Sequence, residues 1–349
     1  MSNAVLNKVR SEIAFIGTGW IGLNRMKSLL DADVCHPVGI YEPDNVNARK
    51  AYDIAPDAII YRDFDDLLDS NPDGVVIASP SALHATQCIK AFQKGIAVFC
   101  QKPLARTAAE TRKVISAAYV ANRHLGVDLS YRYTDGISKI YSTYRKQISR
   151  IFAVDLVFNN AYGPDKSWFY NPALSGGGCL VDLGVHLIDL ALWMLDFPEI
   201  TKVSSTLMSK GAIIECDRDS VEDYVSAQIE TGDGTLIRLV CSWNLPAGQD
   251  AEIRASFYGT EGSALFYNVN GSFYDFEAVI CHGTSREIIS KPPDDWGGRA
   301  LVNWTMELQE DRGFRKSSFY HYNTAELIDR IYRRYIQIKP VWNEDPANY

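Results

Sequence analysis

From residue 12 to residue 128 the chain alternates short apolar runs with longer stretches whose apolar positions recur at helical spacing. This is the pattern of βαβ units and a parallel sheet. Strands are expected at 13–16, 37–41, 58–61, 74–78, 97–100 and 124–128. The helices between them carry start and stop signals. Asp63 precedes 64–69, Pro80-Ser81 precede 83–94 with Gly95 after it, and Thr107 with Glu110 forms a capping box ahead of 108–122. After Asp128 the texture changes. A helix is expected at 136–147, a strand at 151–158, a loop rich in glycine, proline and aromatics over 159–178, and a strongly apolar helix over 180–195. Strand-like segments follow at 203–207, 224–230, 236–243, 253–258, 263–267 and 272–280, separated by turn signals such as Thr231-Gly232-Asp233-Gly234 and Thr260-Glu261-Gly262. A last helix is expected at 324–336.

These elements define an α/β chain. Residues 10–129 read as an N-terminal Rossmann domain with a doubly wound parallel sheet, and 130–322 as a C-terminal α+β domain with a large, mainly antiparallel open sheet, with a helix and tail over 323–349. A length of 349 residues suits two domains. One broad sheet with helices on one face leaves its other face to be covered, so a homodimer or homotetramer through the C-terminal sheet is expected.

Composition narrows the partners. An apolar fraction of 46% and a charged fraction of 22% are globular values, and no run reads as a membrane span. The first twelve residues lack the apolar region of a secretory signal, so a cytoplasmic location is expected. Seven scattered cysteines without a C-x-x-C pair read as reduced and mostly buried. A net charge of −8 with no long Lys/Arg run argues against nucleic acid as the partner.

The chemistry begins at the first strand, where an apolar run breaks into Gly17, Gly19 and Gly22 at G-x-G-x-x-G spacing. The first glycine permits a tight turn, the second lets backbone approach a pyrophosphate, and the third allows close helix–strand packing. The second strand ends in Glu42, twenty residues beyond Gly22, where a ribose-binding carboxylate belongs. A carboxylate there repels a 2′-phosphate, so NAD is expected over NADP despite nearby Arg49 and Lys50.

Ligands of open parallel sheets bind beyond the carboxyl ends of the strands, which brings two further loops into view. The first is Ser79-Pro80-Ser81-Ala82-Leu83-His84 and the second Gln101-Lys102-Pro103. Ser79 could hydrogen-bond the cofactor or cap the next helix. His84 reads as a cleft residue or an exposed first-turn histidine. Lys102, fixed by the proline after it, points to the cleft, and its X-Pro bond could be cis. With Trp20, Ile21 and Pro80, these residues and the glycine loop make the expected cofactor site.

The second constellation follows Gly176-Gly177-Gly178. Asp182 and His186 stand four apart in an expected helix, with Asp189 three further on, so that all three would share a face. A carboxylate beside a histidine can fix its tautomer for general-base work, while a structural ion pair is the plainer alternative. No H-E-x-x-H or Cys/His cluster supports a metal, and no G-x-S-x-G elbow supports a serine hydrolase.

Taken in order, the glycine fingerprint, Lys102-Pro103 and the Gly178-x-x-x-Asp182-x-x-x-His186 segment resemble the glucose-fructose oxidoreductase and inositol dehydrogenase family of NAD(P)-dependent sugar and cyclitol oxidoreductases. The resemblance implies a catalytic group of Lys102, Asp182 and His186, with His186 as general base, Lys102 at the substrate hydroxyl and nicotinamide, and Asp182 positioning the sugar. It also implies Arg132 and Trp168 at the substrate, and on position Tyr162 and Trp243 are added to that pocket. Gln101 replaces the glutamate usual before the lysine, and Ser130 stands where asparagine is common. Two alternatives come with the resemblance: a glycosidase working by transient oxidation at tightly held NAD, and a non-catalytic NAD-binding regulator.

Overall fold

The six N-terminal apolar runs fold into one parallel sheet in the computed structural model, which describes residues 10–214 and 220–333. Its strands are β1 Ser11–Ile16, β2 Cys35–Tyr41, β3 Ile59–Tyr61, β4 Gly74–Ile77, β5 Ala97–Cys100 and β6 Leu125–Val127, in the order β3-β2-β1-β4-β5-β6. Every residue of β4 and β5 is buried, because helices cover both faces of the sheet. The order reverses between β1 and β4, and a crevice opens there beyond their carboxyl ends.

The second sheet holds β7 Ile151–Asn160, β8 Ile200–Ser209, β9 Ala212–Ile214, β10 Tyr224–Thr231, β11 Leu236–Ser242, β12 Ala251–Gly259, β13 Ser263–Asn268, β14 Phe276–His282 and β15 Ser285–Ser290. Their order is β15-β14-β13-β12-β7-β11-β10-β8-β9, with only the β7–β11 pair parallel among the described residues. Strict alternation sends Val154, Leu156, Ile237, Leu239, Ile253 and Ala255 to a core shared with the helix Val185–Met194. The residues between them, such as Asp155 and Arg238, face the opposite side, where the two form a bidentate ion pair. The expected strands reappear, most with longer ends, though the one expected at 272–280 starts only at Phe276 and the one at 236–243 stops at Ser242. β9 and β15 were not expected, for they are short, mostly exposed edge strands without a buried alternation.

Both expected helices of the second domain are interrupted. The 136–147 helix is Asp135–Lys139 and Arg145–Ile148 joined by a π turn at Ile140–Tyr144. The 180–195 helix starts with a π turn, Leu180–Gly184, before Val185–Met194. The run Pro172–Met194 is long and apolar enough to cross a membrane, but 83% of its most apolar window is buried inside the protein.

A helix at Arg299–Glu310 was not expected, and it corrects the assignment of all of 130–322 to the second domain. Its Ala300, Leu301, Trp304 and Leu308 join Ile13, Phe15, Val76 and Phe99 in the core of the first sheet. Trp304 fills the space over Gly74 and Gly126, where added Cβ atoms would come within 2.7 and 2.4 Å of its ring. The last helix is Tyr320–Ile331: it starts four residues before the expected position and stops ahead of Tyr332 and Arg333, at the second of which φ turns positive, while residues 334–336 of the expected helix lie outside the described residues.

Candidate active site

Gly17 has φ +82°, and a Cβ there would lie 2.7 Å from the backbone of Ala78 and Ser79. A Cβ at Gly22 would sit 2.1 Å from the Gly17 carbonyl oxygen. Both positions therefore require glycine. At Gly19, by contrast, nothing lies within 4 Å, so bare backbone faces open space where the helix Trp20–Asp31 begins without a side-chain cap. That space, with its free N–H groups, fits a dinucleotide pyrophosphate. Glu42 is held beside it. One carboxylate oxygen accepts from the Thr18 N–H at 2.6 Å and the other from the Asp44 N–H at 2.9 Å.

A cleft of about 960 Å³ runs from Tyr41 and Glu42 past the glycine loop to Lys102, Asp182 and His186. Trp20, Ile21, Ser79, Pro80, His84, Gln101 and Trp168 also line it. Four expectations about local roles change. Ser79 caps nothing: its hydroxyl donates to Gln87 Oε1 at 2.6 Å. His84 is buried rather than exposed, with its ring nitrogens 2.8 Å from the carbonyl oxygens of Pro103 and Ser79, and burial lowers its pKa. Gln101 is tied to Asp128, its amide donating to Oδ2 at 2.5 Å. Tyr162, mostly exposed, spends its hydroxyl on Asp250.

Lys102 leaves the end of β5 before a cis peptide to Pro103. Its ammonium donates to the Asp182 carbonyl oxygen at 2.7 Å and to Asp182 Oδ1 at 2.8 Å, while Asp182 Oδ2 accepts from Trp243 Nε1 at 3.2 Å. Among the described residues two of the three ammonium N–H groups are thus engaged, which leaves one for a ligand.

Asp182 does not orient His186, which corrects the expectation of a carboxylate–imidazole pair. The π turn rotates Asp182 toward Lys102, and His186 packs on Tyr131 with ring centroids 5.0 Å apart. Its Nδ1 is buried without a hydrogen-bond partner among the described residues. Burial first, then the positive charges of Lys102 and Arg25, drive the His186 pKa well below the ordinary histidine range, so the imidazole is neutral near pH 7.

Arg132 and Asp189 are also corrected. Arg132 does not line the cleft. Its Nε donates to Asp189 at 2.7 Å, and its guanidinium lies over the rings of Trp193 and Phe197. Asp189 is buried in that pair, away from the Asp182 and His186 face.

Sequence reading missed two groups. Arg25, one turn beyond Gly22 on the first helix, pairs with Asp128 at 2.5 Å, and Ser130 donates to the same carboxylate. The helical spacing from Gly22 and the strand-end position of Asp128 could have revealed them. The second is Glu222, a buried carboxylate that accepts from the N–H groups of Gly178 and Leu180 and from the Tyr332 hydroxyl. Nothing in its local sequence marks it.

Two family models match in order along the chain. Residues 11–129 match one described as an oxidoreductase family with an NAD-binding Rossmann fold, and residues 145–265 match the GFO/IDH/MocA C-terminal domain. The chain belongs to the GFO/IDH/MocA family of oxidoreductases. It is an enzyme of that family, and its N-terminal domain is an NAD-binding Rossmann fold. Among curated relatives it is 28% identical over 216 residues to D-glucoside 3-dehydrogenase of Escherichia coli (strain K12), an alignment spanning 58% of this chain and only 60% of that protein. It is 21% identical to glucose-6-phosphate 3-dehydrogenase of Bacillus subtilis (strain 168), over 95% of this chain and 98% of the relative. A solved levoglucosan dehydrogenase in complex with NADH and L-sorbose shares the fold with a TM-score of 0.78 at 21% identity, covering 93% of this chain and 95% of the other.

Proposed function

We propose that the chain oxidises a carbinol of a sugar, sugar derivative or cyclitol, with His186 as general base and Lys102 stabilising the alkoxide. The observation that carries this reading is the meeting of Lys102, from the first sheet, and His186, from the second domain, in the cleft that also contains the glycine loop. When bound, the nicotinamide supplies the hydride acceptor.

The side chains divide the remaining work. The neutral His186 imidazole takes the hydroxyl proton, burial keeping it unprotonated near neutral pH. The ammonium of Lys102, held by two oxygens of Asp182, presents its third N–H to the oxygen on which negative charge grows. Asp182 is in turn held by the Trp243 indole, so it acts by positioning Lys102. Glu42 suits ribose hydroxyls and thereby NAD. Pairing of two copies through the polar face of the second sheet belongs to the same proposal, and a monomer by light scattering would refute that part.

The reading is tested by incubating the protein with NAD and a panel of pyranoses, cyclitols and sugar phosphates while following both NADH absorbance and free sugar release. Stoichiometric NADH without release supports the dehydrogenase, and release without net NADH would mean a glycosidase. His186→Ala and Lys102→Met should each lose roughly 10²-fold or more in turnover while NAD still binds. Either variant turning over like wild type would sink the assignment. The relatives are named for neutral and phosphorylated sugars alike, so their names do not choose the substrate.

A further inference from the structure

The charges and rings of the cleft say more about the substrate than its general class. Three cations line it: Arg25 and Lys102 are hydrogen-bonded to Asp128 at 2.5 Å and to Asp182 at 2.8 Å, while Lys166, exposed at the surface, has only its neighbour Asp165 at 3.6 Å. Glu42 and Asp44 add negative charge at the ribose end, and no further Lys or Arg among the described residues lines the cleft. Recognition of a phosphate ordinarily uses a guanidinium fork or an uncompensated ammonium. A phosphate on the substrate would meet only the solvent-exposed Lys166 ammonium outside these pairs, and deeper in the cleft would be desolvated beside Asp128 and Asp182.

The walls offer something else. From the His186 imidazole an aromatic run leads outward: Tyr131 lies 5.0 Å away centroid to centroid, Trp296 is 5.3 Å beyond it, and Tyr274 a further 6.5 Å. Tyr274 is 56% exposed at the outer end. Trp168 and Phe169, stacked at 3.8 Å, form a second aromatic surface in the same cleft. Tyr131 and Trp296 are buried in the core, so the surfaces open to the C–H face of a pyranose or cyclitol are Tyr274 and the Trp168–Phe169 pair, while the polar groups near His186 take its hydroxyls.

We infer that the substrate is an uncharged, unphosphorylated sugar or cyclitol ring seated with its C–H face on these aromatic side chains, and that sugar phosphates and nucleotide sugars are disfavoured by charge. The inference rests on the oxidoreductase reading for its ring and hydroxyl chemistry, and its own content is the selection among rings.

Binding is the decisive measurement, because it reads the substrate class without requiring turnover. The NADH-loaded protein is titrated with methyl β-D-glucoside, D-glucose and myo-inositol, and in parallel with glucose-6-phosphate and UDP-glucose, by calorimetry and by quenching of tryptophan fluorescence. At least one neutral compound should bind about tenfold or more tighter than either charged one, and the gap should narrow as salt is raised. Trp168→Ala should weaken the neutral ligand about tenfold, with Trp168→Phe recovering most of it and the far-ultraviolet circular dichroism unaltered in both. Tyr274→Lys, which adds an unpaired ammonium at the exposed end, should shift the affinity ratio toward glucose-6-phosphate.

Equal or tighter binding of glucose-6-phosphate or UDP-glucose overturns the inference, as does failure of every neutral compound to bind. Neutral compounds that bind as expected, yet never reduce NAD, would instead sink the oxidoreductase reading and leave the substrate class standing.

Discussion

Replacing Glu222 by alanine removes the acceptor that three donors share in a site sealed from water. The Gly178 N–H lies 3.0 Å from both carboxylate oxygens, and Oε1 also receives the Leu180 N–H at 2.9 Å and the Tyr332 hydroxyl at 2.7 Å. Each buried donor left unpaired costs about 1–3 kcal/mol. Some of that is recovered by water entering the vacated space, so the expected loss is ~3–5 kcal/mol, read as a Tm lower by roughly 10 °C in calorimetry. Because Gly178 and Leu180 begin the turn that carries Asp182, kcat should fall about tenfold beyond what lost stability explains at the assay temperature. Glu222→Gln keeps Oε1 as acceptor for all three donors and should lie close to wild type in both measurements.

The same residue gives a pH signature with a definite sign. Burial is the dominant influence and raises the Glu222 pKa in the folded protein above the ordinary carboxylate value. The folded state therefore holds this proton more tightly than the unfolded chain, and stability falls as pH rises from the ordinary value through the raised one. Glu222→Gln lacks that loss, so its Tm relative to wild type should improve from acid to alkaline pH. If alanine left Tm and kcat unaltered, or if glutamine were as damaging as alanine, the account of Glu222 as the anchor of the glycine segment would be wrong.

Further outcomes follow from the other pairs. Since His186 is held neutral by burial and by Lys102 and Arg25, kcat/KM for oxidation should stay level as pH falls through 6.5 and decline only in more acid solution; a decline centred at 6.5 would show a solvated imidazole. Arg132→Ala leaves Asp189 buried without its cation, so Tm should fall by an amount equivalent to about 3–5 kcal/mol, while KM for the substrate changes little; a KM effect without a Tm effect would return Arg132 to the pocket. Gln101→Glu would place a second carboxylate against Asp128, lowering Tm, and adding Asp128→Asn should restore it; additivity of the two changes would refute the coupling.

How much was legible in the sequence follows from how each group is built. β4 and β5 are buried on both faces, so they read as unbroken apolar runs, and Gly17 after β1 marks a turn that no other residue fits. Lys102 and His186 sat beside local signals, a proline and a glycine run. The edge strands β9 and β15 had no buried alternation to betray them. The direction of Arg132 depends on Asp189, 57 positions away, and the role of Glu222 on amides more than 40 positions upstream. Side chains whose partners lie that far along the chain leave no periodic trace.

The π turn at Leu180–Gly184 is where local pattern and tertiary structure part most sharply, and the divergence bears on mechanism. In a regular helix Asp182 and His186 would stack one turn apart, and the carboxylate would raise the basicity of the imidazole it touched. The extra residue in the turn instead delivers Asp182 to Lys102 and Trp243, and leaves His186 against the face of Tyr131. The negative charge is thus used to hold an ammonium in place, while the base is kept proton-free by burial and neighbouring positive charge. Under the mechanism proposed above, a cleft arranged this way would stabilise an alkoxide in the transition state without an anion touching the base. It follows that Asp182→Asn should act through Lys102, by lowering kcat, and leave the acid limb set by His186 where it was.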